Sequence, residues 1–199
     1  MSLLPILELP HPLLRKRARK VRSVDKKLLK LAFDMVDTMD NAGGVGLAAN
    51  QVGELQRLIV IRTPEDDEAR IYINPEILKR DGEREVEEGC LSVPGYRGII
   101  TRSVWVRFGA LDHESHTVKF KAEDLLAQAL EHEVDHLDGI LYLDHLESHE
   151  KLIKIEPAPE AEELDEDEAP GEDNSAGPDN GSQDSADQMK ETPASMKVN

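Results

Sequence analysis

Two histidines four residues apart, in Leu130-Glu131-His132-Glu133-Val134-Asp135-His136-Leu137-Asp138-Gly139, are the groups in this chain best suited to do chemistry. On a helix, positions four apart lie on one face, a turn apart, so both imidazoles can take adjacent corners of a tetrahedral metal site. Glu133 is rotated by about 100° from His132, which lets its carboxylate reach a metal-held water without ligating the metal itself. The chemistry such a group performs is metal-assisted hydrolysis. The competing reading is a solvated helix face. It would leave two imidazoles among apolar neighbours, needing other partners for their ring nitrogens.

A metal site of this kind needs a helix and a third ligand. Leu125, Leu126, Ala129, Leu130, Val134 and Leu137 form a broad apolar surface, Glu123 and Asp124 sit at its start, and Asp138-Gly139 stops it. The third ligand is Cys90, in Glu88-Gly89-Cys90-Leu91-Ser92-Val93-Pro94-Gly95, a tight loop able to present a thiolate. Cys90, His132 and His136 make a Cys/His/His site with a fourth position left for water. Cys90 as a nucleophile with a histidine base is the alternative, and it gives the helical pattern no purpose.

Upstream, Gly43-Gly44-Val45-Gly46-Leu47-Ala48-Ala49-Asn50-Gln51 follows a predicted helix over about residues 25–42, capped by Ser23 or Asp25 and striped by Leu28, Leu31, Ala32, Met35 and Met39. No Lys-Ser/Thr follows the glycines, so a phosphate loop is excluded. Small residues instead leave backbone bare for an extended ligand. Gln51 ends the run with an amide able to donate to an oxyanion.

Strand signals follow at Arg57–Ile61, then Ile71–Pro75 and Glu76–Lys79 as strand, break and strand. Alternation at Val104, Val106 and Phe108, and at Val118 and Phe120, adds two more around an Asp112–Ser115 turn. The class is α+β: small antiparallel or mixed sheets packed around a central metal-binding helix, plus an N-terminal helix.

The 199 residues carry a net charge of −17. Residues 156–199 hold 14 Asp+Glu against 2 Lys+Arg, so −12 of it belongs to this tail. We expect a catalytic domain over 1–155 and a disordered acidic tail over 156–199, which buries too little apolar surface to offset its ordering entropy. Arg15-Lys16-Arg17-Ala18-Arg19-Lys20 reads as a solvated basic face, since no aromatics interleave it, so no specific nucleic acid is expected. No apolar run nears the ~20 residues that span a bilayer. No signal peptide is evident, and a single cysteine suits a reducing cytoplasm.

Three blocks in order, Gly44-Val45-Gly46-Leu47-Ala48-Ala49-Asn50-Gln51, Glu88-Gly89-Cys90-Leu91-Ser92 and His132-Glu133-Val134-Asp135-His136, resemble the signature motifs of the peptide deformylases, a likeness running from about Leu3 to Leu146. The resemblance implies removal of the formyl group from nascent chains that begin with N-formylmethionine, releasing formate. It implies one divalent ion per chain, Fe2+ first, with Zn2+, Ni2+ or Co2+ able to occupy the site. Cys90, His132 and His136 are then the ligands and Glu133 the general base and acid, as the residues alone suggest. Gln51 and the Leu91 backbone N–H would stabilise the oxyanion.

The peptide would lie as an added strand near Val45-Gly46 and Gly89, with Arg97 touching it. The methionine side chain would enter a pocket near His132, lined by Val45, Leu126 and Ala129. Asp135 is expected to pair with Arg102, fixing the ligand helix. The implied protein is a cytoplasmic monomer, transiently near the ribosome and without membrane contact. The sequence departs from the family at His11, where Asp is common, and at Asn50, where Thr or Ser is frequent. A zinc peptidase is the rival enzyme. Its longer motif has a last ligand where Tyr142 stands here, leaving His145, Glu147 or His149 to substitute. A catalytically dead binding module is the non-enzyme alternative, opposed by the intact Glu133.

Overall fold

The structure is a computed structural model and describes residues 2–155. Its first helix, α1 (Lys26–Asn41), begins where Asp25 accepts the Leu28 N–H at 2.8 Å, so Asp25 rather than Ser23 is the cap. A five-stranded sheet follows, ordered β1-β2-β3-β6-β7 and built from β1 (Gly46–Ala48), β2 (Leu58–Ile61), β3 (Arg70–Asp81), β6 (Trp105–Leu111) and β7 (Thr117–Glu123). A three-stranded sheet holds β4 (Arg84–Gly89), β5 (Tyr96–Arg102) and β8 (Leu152–Lys154), in that order. Every strand pair among the described residues is antiparallel, so the mixed option is not used; one isolated bridge, Arg19 to Gln56, is parallel.

β2 shows why the larger sheet is apolar throughout. Leu58 and Val60 pack with Leu28, Ala32, Met35 and Met39 of α1, while Ile59 and Ile61 face the opposite cluster with Leu130, Val134 and Leu137. Those last three belong to α2 (Asp124–Asp138), so the sheet is covered by a helix on each face and a short central strand needs no polar side. β3 is one continuous strand rather than two. The break read at Asn74-Pro75 is a register shift between Ile73 and Glu76, with Asn74 at φ 53°. The Asn74 side chain offsets that conformation by accepting from Val21 N–H and donating to Val21 C=O at 2.8 and 2.9 Å.

The basic N-terminal run is the solvated face its composition implies, with Arg15, Lys16, Arg17, Arg19 and Lys20 all exposed. Arg15 pairs with Asp144, Arg17 with Asp138 at 3.1 Å and Lys20 with Glu76 at 2.6 Å, which tie the segment to the end of α2 and to β3. His11 caps a short 3-10 turn (Pro12–Arg15), its Nδ1 accepting the Leu13 N–H at 3.3 Å. Among the described residues, no helix is long and apolar enough to cross a membrane. The acidic tail expected over 156–199 lies outside the described residues.

Candidate metal centre

α2 carries the site by splitting its residues between two layers. Leu126, Leu130, Val134 and Leu137 turn to the five-stranded sheet, whereas Leu125, Ala129, His132 and Glu133 line a cleft of about 420 Å³. Leu126 is therefore a correction. It packs on the core, and its neighbour Leu125, one helical step round, stands at the cleft instead. Val45, Gly46, Gly89, Ala129 and Arg97 are all at the cleft, together with Gln51, Cys90, Leu91 and Gln128. Arg97 is held at the rim by Glu87, 2.7 Å away.

The three donors converge although Cys90 lies 42 residues before the first histidine. Cys90 Sγ is 3.1 Å from His136 Nε2, and the two Nε2 atoms are 3.1 Å apart. Tetrahedral bonds of ~2.0–2.3 Å hold such atoms ~3.3–3.6 Å apart, so the donor set and its spacing fit one divalent ion. Burial drives the His136 imidazole well below its ordinary range, whereas at His132 burial is outweighed by hydrogen bonds to Cys90 and Glu88, which hold it well above that range. His136 is therefore neutral, and His132 must shed a proton to act as a ligand. Two N–H groups point at the sulfur as a thiolate would want them, Ser92 N at 3.4 Å and Gln51 Nε2 at 3.6 Å.

Gln51 is fixed in that sense. Its Oε1 accepts the Ala48 N–H at 2.8 Å and Nε2 donates to Ser92 Oγ at 3.1 Å, so the amide nitrogen faces the sulfur. Glu133 is 3% exposed and its Oε2 has no partner among the described residues, and burial pushes the carboxyl up to about 7. A Cβ on Gly46 would stand 2.4 Å from Glu133 Oε1, so β1 reaches the acid only because it has no side chain there.

His132 is oriented from behind. Its Nδ1 meets Glu88, which in turn receives Arg102 through two bonds of 3.1 and 2.8 Å. Burial works to raise the Glu88 carboxyl, but the His132 and Arg102 hydrogen bonds outweigh it and hold it at about 2. A carboxylate on Nδ1 leaves the Nε2 lone pair for an ion. Arg102 also donates to Asp135 at 2.6 Å. Glu88 is a residue that sequence reading missed, although it sits inside the quoted Cys90 block. Its signal was an acid two positions before a ligand in a strand.

The peptidase-type donors are elsewhere. Tyr142 packs its ring against His132 with centroids 6.5 Å apart, and His145 Nε2 bonds Asp135 at 2.8 Å. Of the candidate metal clusters among the described residues, the one with Cys90 contains both helix histidines.

An α+β domain presenting a Cys/His/His donor set beside an unpartnered buried acid is the architecture of a metal-dependent hydrolase. Residues 3–152 match the family model described as polypeptide deformylase. The peptide deformylase of Dehalococcoides mccartyi is 50% identical over 163 residues, covering 82% of this chain and 98% of that one. The crystal structure of a peptide deformylase from Legionella pneumophila superposes with a TM-score of 0.72 at 44% identity, covering 75% of this chain and 89% of that one. A Met-Ala-Ser-bound deformylase from Acinetobacter baumannii gives 0.70 at 33% identity, covering 73% and 100%. The chain belongs to the peptide deformylase family, metal-dependent hydrolases that deformylate nascent peptides.

Proposed function

We propose that this chain removes the N-terminal formyl group from formyl-methionyl nascent chains through Cys90, His132 and His136 as ligands, Glu133 as base and acid, and Gln51 and the Leu91 N–H as oxyanion donors. The observation that carries this reading is a buried, unpartnered Glu133 beside three converging metal donors. A divalent ion on those donors supplies Lewis acidity and lowers the pKa of water to near neutrality. Glu133 takes the proton of the attacking water and later returns it to the departing amine. Gln51 Nε2 and the Leu91 N–H donate to the carbonyl oxygen as it gains charge. Fe2+ is the ion we assign in the cell. Zinc binds nitrogen and sulfur sites more tightly, so metal availability must decide the choice.

β1 and β4 are both edge strands, and both border the cleft. A peptide laid between them as an added strand can use backbone near Val45, Gly46 and Gly89. Leu125 and Ala129 then offer apolar surface to the methionine side chain, with Arg97 at the rim. The Acinetobacter relative's bound Met-Ala-Ser supports a peptide in this groove. We place the work in the cytoplasm, transiently near the ribosome, by a monomer.

The test is formate release from formyl-Met-Ala-Ser by protein of defined metal content, beside an internal-bond peptide substrate. Wild type should release formate and spare the internal bond, and Glu133→Ala should retain metal while losing activity. Formate release unchanged in metal-loaded Glu133→Ala would reject the assignment.

A further inference from the structure

The hydrogen bonds behind His132 continue to a residue outside every motif. Glu88 and Asp135 are two buried carboxylates sharing one guanidinium, that of Arg102, with side-chain exposures of 4%, 11% and 4%. Arg102 gives Glu88 two bonds and Asp135 one. The Asp135 oxygen that receives Arg102, Oδ2, also faces His145 Nε2 at 2.8 Å. His145 is 35% exposed and opens onto a shallow surface dish. The nearby buried acid, Glu131, makes no claim on it, being bonded to Ser103 N–H, the Ser103 hydroxyl and Arg80 at 3.0, 3.1 and 2.8 Å.

His145 is firmly presented. It closes the 3-10 turn Tyr142–His145 just after α2, where Leu141 N–H donates to Asp144 at 2.9 Å and Tyr142 is 1% exposed. Tyr142 lies so close to Gly98 of β5 that a Cβ there would meet its ring at 2.9 Å. Turn, strand and helix therefore hold the imidazole against Asp135.

We propose that His145 is a positioning residue for the metal ligand His132, acting through Asp135, Arg102 and Glu88. This rests on the ion-binding role proposed above. One guanidinium cannot fully compensate two buried carboxylates, and a buried carboxylate short of donors is costly. The His145 Nε2–H gives Asp135 its second donor and leaves Arg102 free to grip Glu88, which fixes the His132 ring through Nδ1. Remove it, and Asp135 must draw on Arg102 alone, pulling the guanidinium toward α2 and loosening Glu88.

The experiment uses full-length protein loaded with Co2+ and compares wild type, His145→Ala, His145→Gln and each in an Asp135→Asn background. Metal loss to excess chelator and the cobalt visible spectrum are read beside kcat and KM for formyl-Met-Ala-Ser. Direct partners of metal-bound histidines typically change affinity 10–100-fold, so for this more distant residue we expect His145→Ala to speed metal loss by about 3–10-fold. kcat should fall with KM unchanged, the cobalt spectrum should shift, and the Gln amide should restore most of the loss. In Asp135→Asn the His145 effect should vanish. Wild-type metal release from His145→Ala, even with a lowered Tm, would overturn the inference while leaving the proposed function standing. So would an equal effect persisting in Asp135→Asn. Wild type that binds no divalent ion would overturn both.

Discussion

Gly46 and Gln51 make the site by opposite means, one by what it lacks and the other by what it donates. Because a Cβ at residue 46 would lie 2.4 Å from Glu133 Oε1, Gly46→Ala must push the carboxylate aside or part β1 from α2. A displacement of about 1 Å in a catalytic group can cost 10²-fold, so kcat should fall by about that factor with metal content and fold intact. Steady-state rates on formyl-Met-Ala-Ser, with metal analysis of the same preparation, check it; an undiminished kcat would mean the acid is not needed where it stands. Gln51 is pinned through Oε1 by the Ala48 N–H, which leaves Nε2 aimed at the Cys90 sulfur. Loss of one oxyanion donor costs about 10²–10³ in rate, the expected effect of Gln51→Ala. A normal turnover number in correctly metallated Gln51→Ala would remove it from the mechanism.

At the scale of elements, α2 must stop abruptly for the N-terminal segment to pass. Gly139 ends it at φ +78°, and a Cβ there would stand 2.7 Å from the Arg15 backbone oxygen. A non-glycine residue in this region costs about 1–3 kcal/mol from backbone strain, and the backbone contact adds to that. Gly139→Ala should therefore lower the unfolding free energy by at least this amount, read as a lower urea midpoint at unchanged slope; an unaltered midpoint would show that the helix end can shift freely. α2 itself was legible because its 3.6-residue period and its glycine stop are strong local signals. β4 and β5 were not, and the reason is physical. β4 alternates inward Val86 and Glu88 with outward Glu85 and Glu87, and β5 turns Gly98, Ile100 and Arg102 inward. The inward places that would carry apolar side chains carry the Glu88–Arg102 pair instead, so the period of two is erased where the strands serve the site. β1, three residues long and with a glycine where Glu133 approaches, is hidden for the same reason.

Considered whole, the molecule is two layers joined at the donors. Cys90 follows β4 of the three-stranded sheet, whereas His132 and His136 ride on a helix whose apolar face belongs to the five-stranded sheet. Direct protein links between these layers include the buried ion pair of Arg102 with Asp135, whose Coulombic gain is largely spent on desolvation, and the Gln128 amide donating to the Glu87 carbonyl at 3.0 Å. An ion shared by all three donors would bind the native arrangement and not the unfolded chain. At 100 times its Kd it would add about 2.7 kcal/mol of stability by mass action. For a domain of this size each kcal/mol moves Tm by about 2–4 °C, so metal should raise Tm by about 5–11 °C over chelated protein. The shift should be lost in Cys90→Ala, which severs the link from the smaller sheet, and kept in Glu133→Ala, which touches no ligand. A Tm indifferent to chelator in wild type would mean that the layers are not joined through these three atoms, and the acid beside them would have no ion to serve.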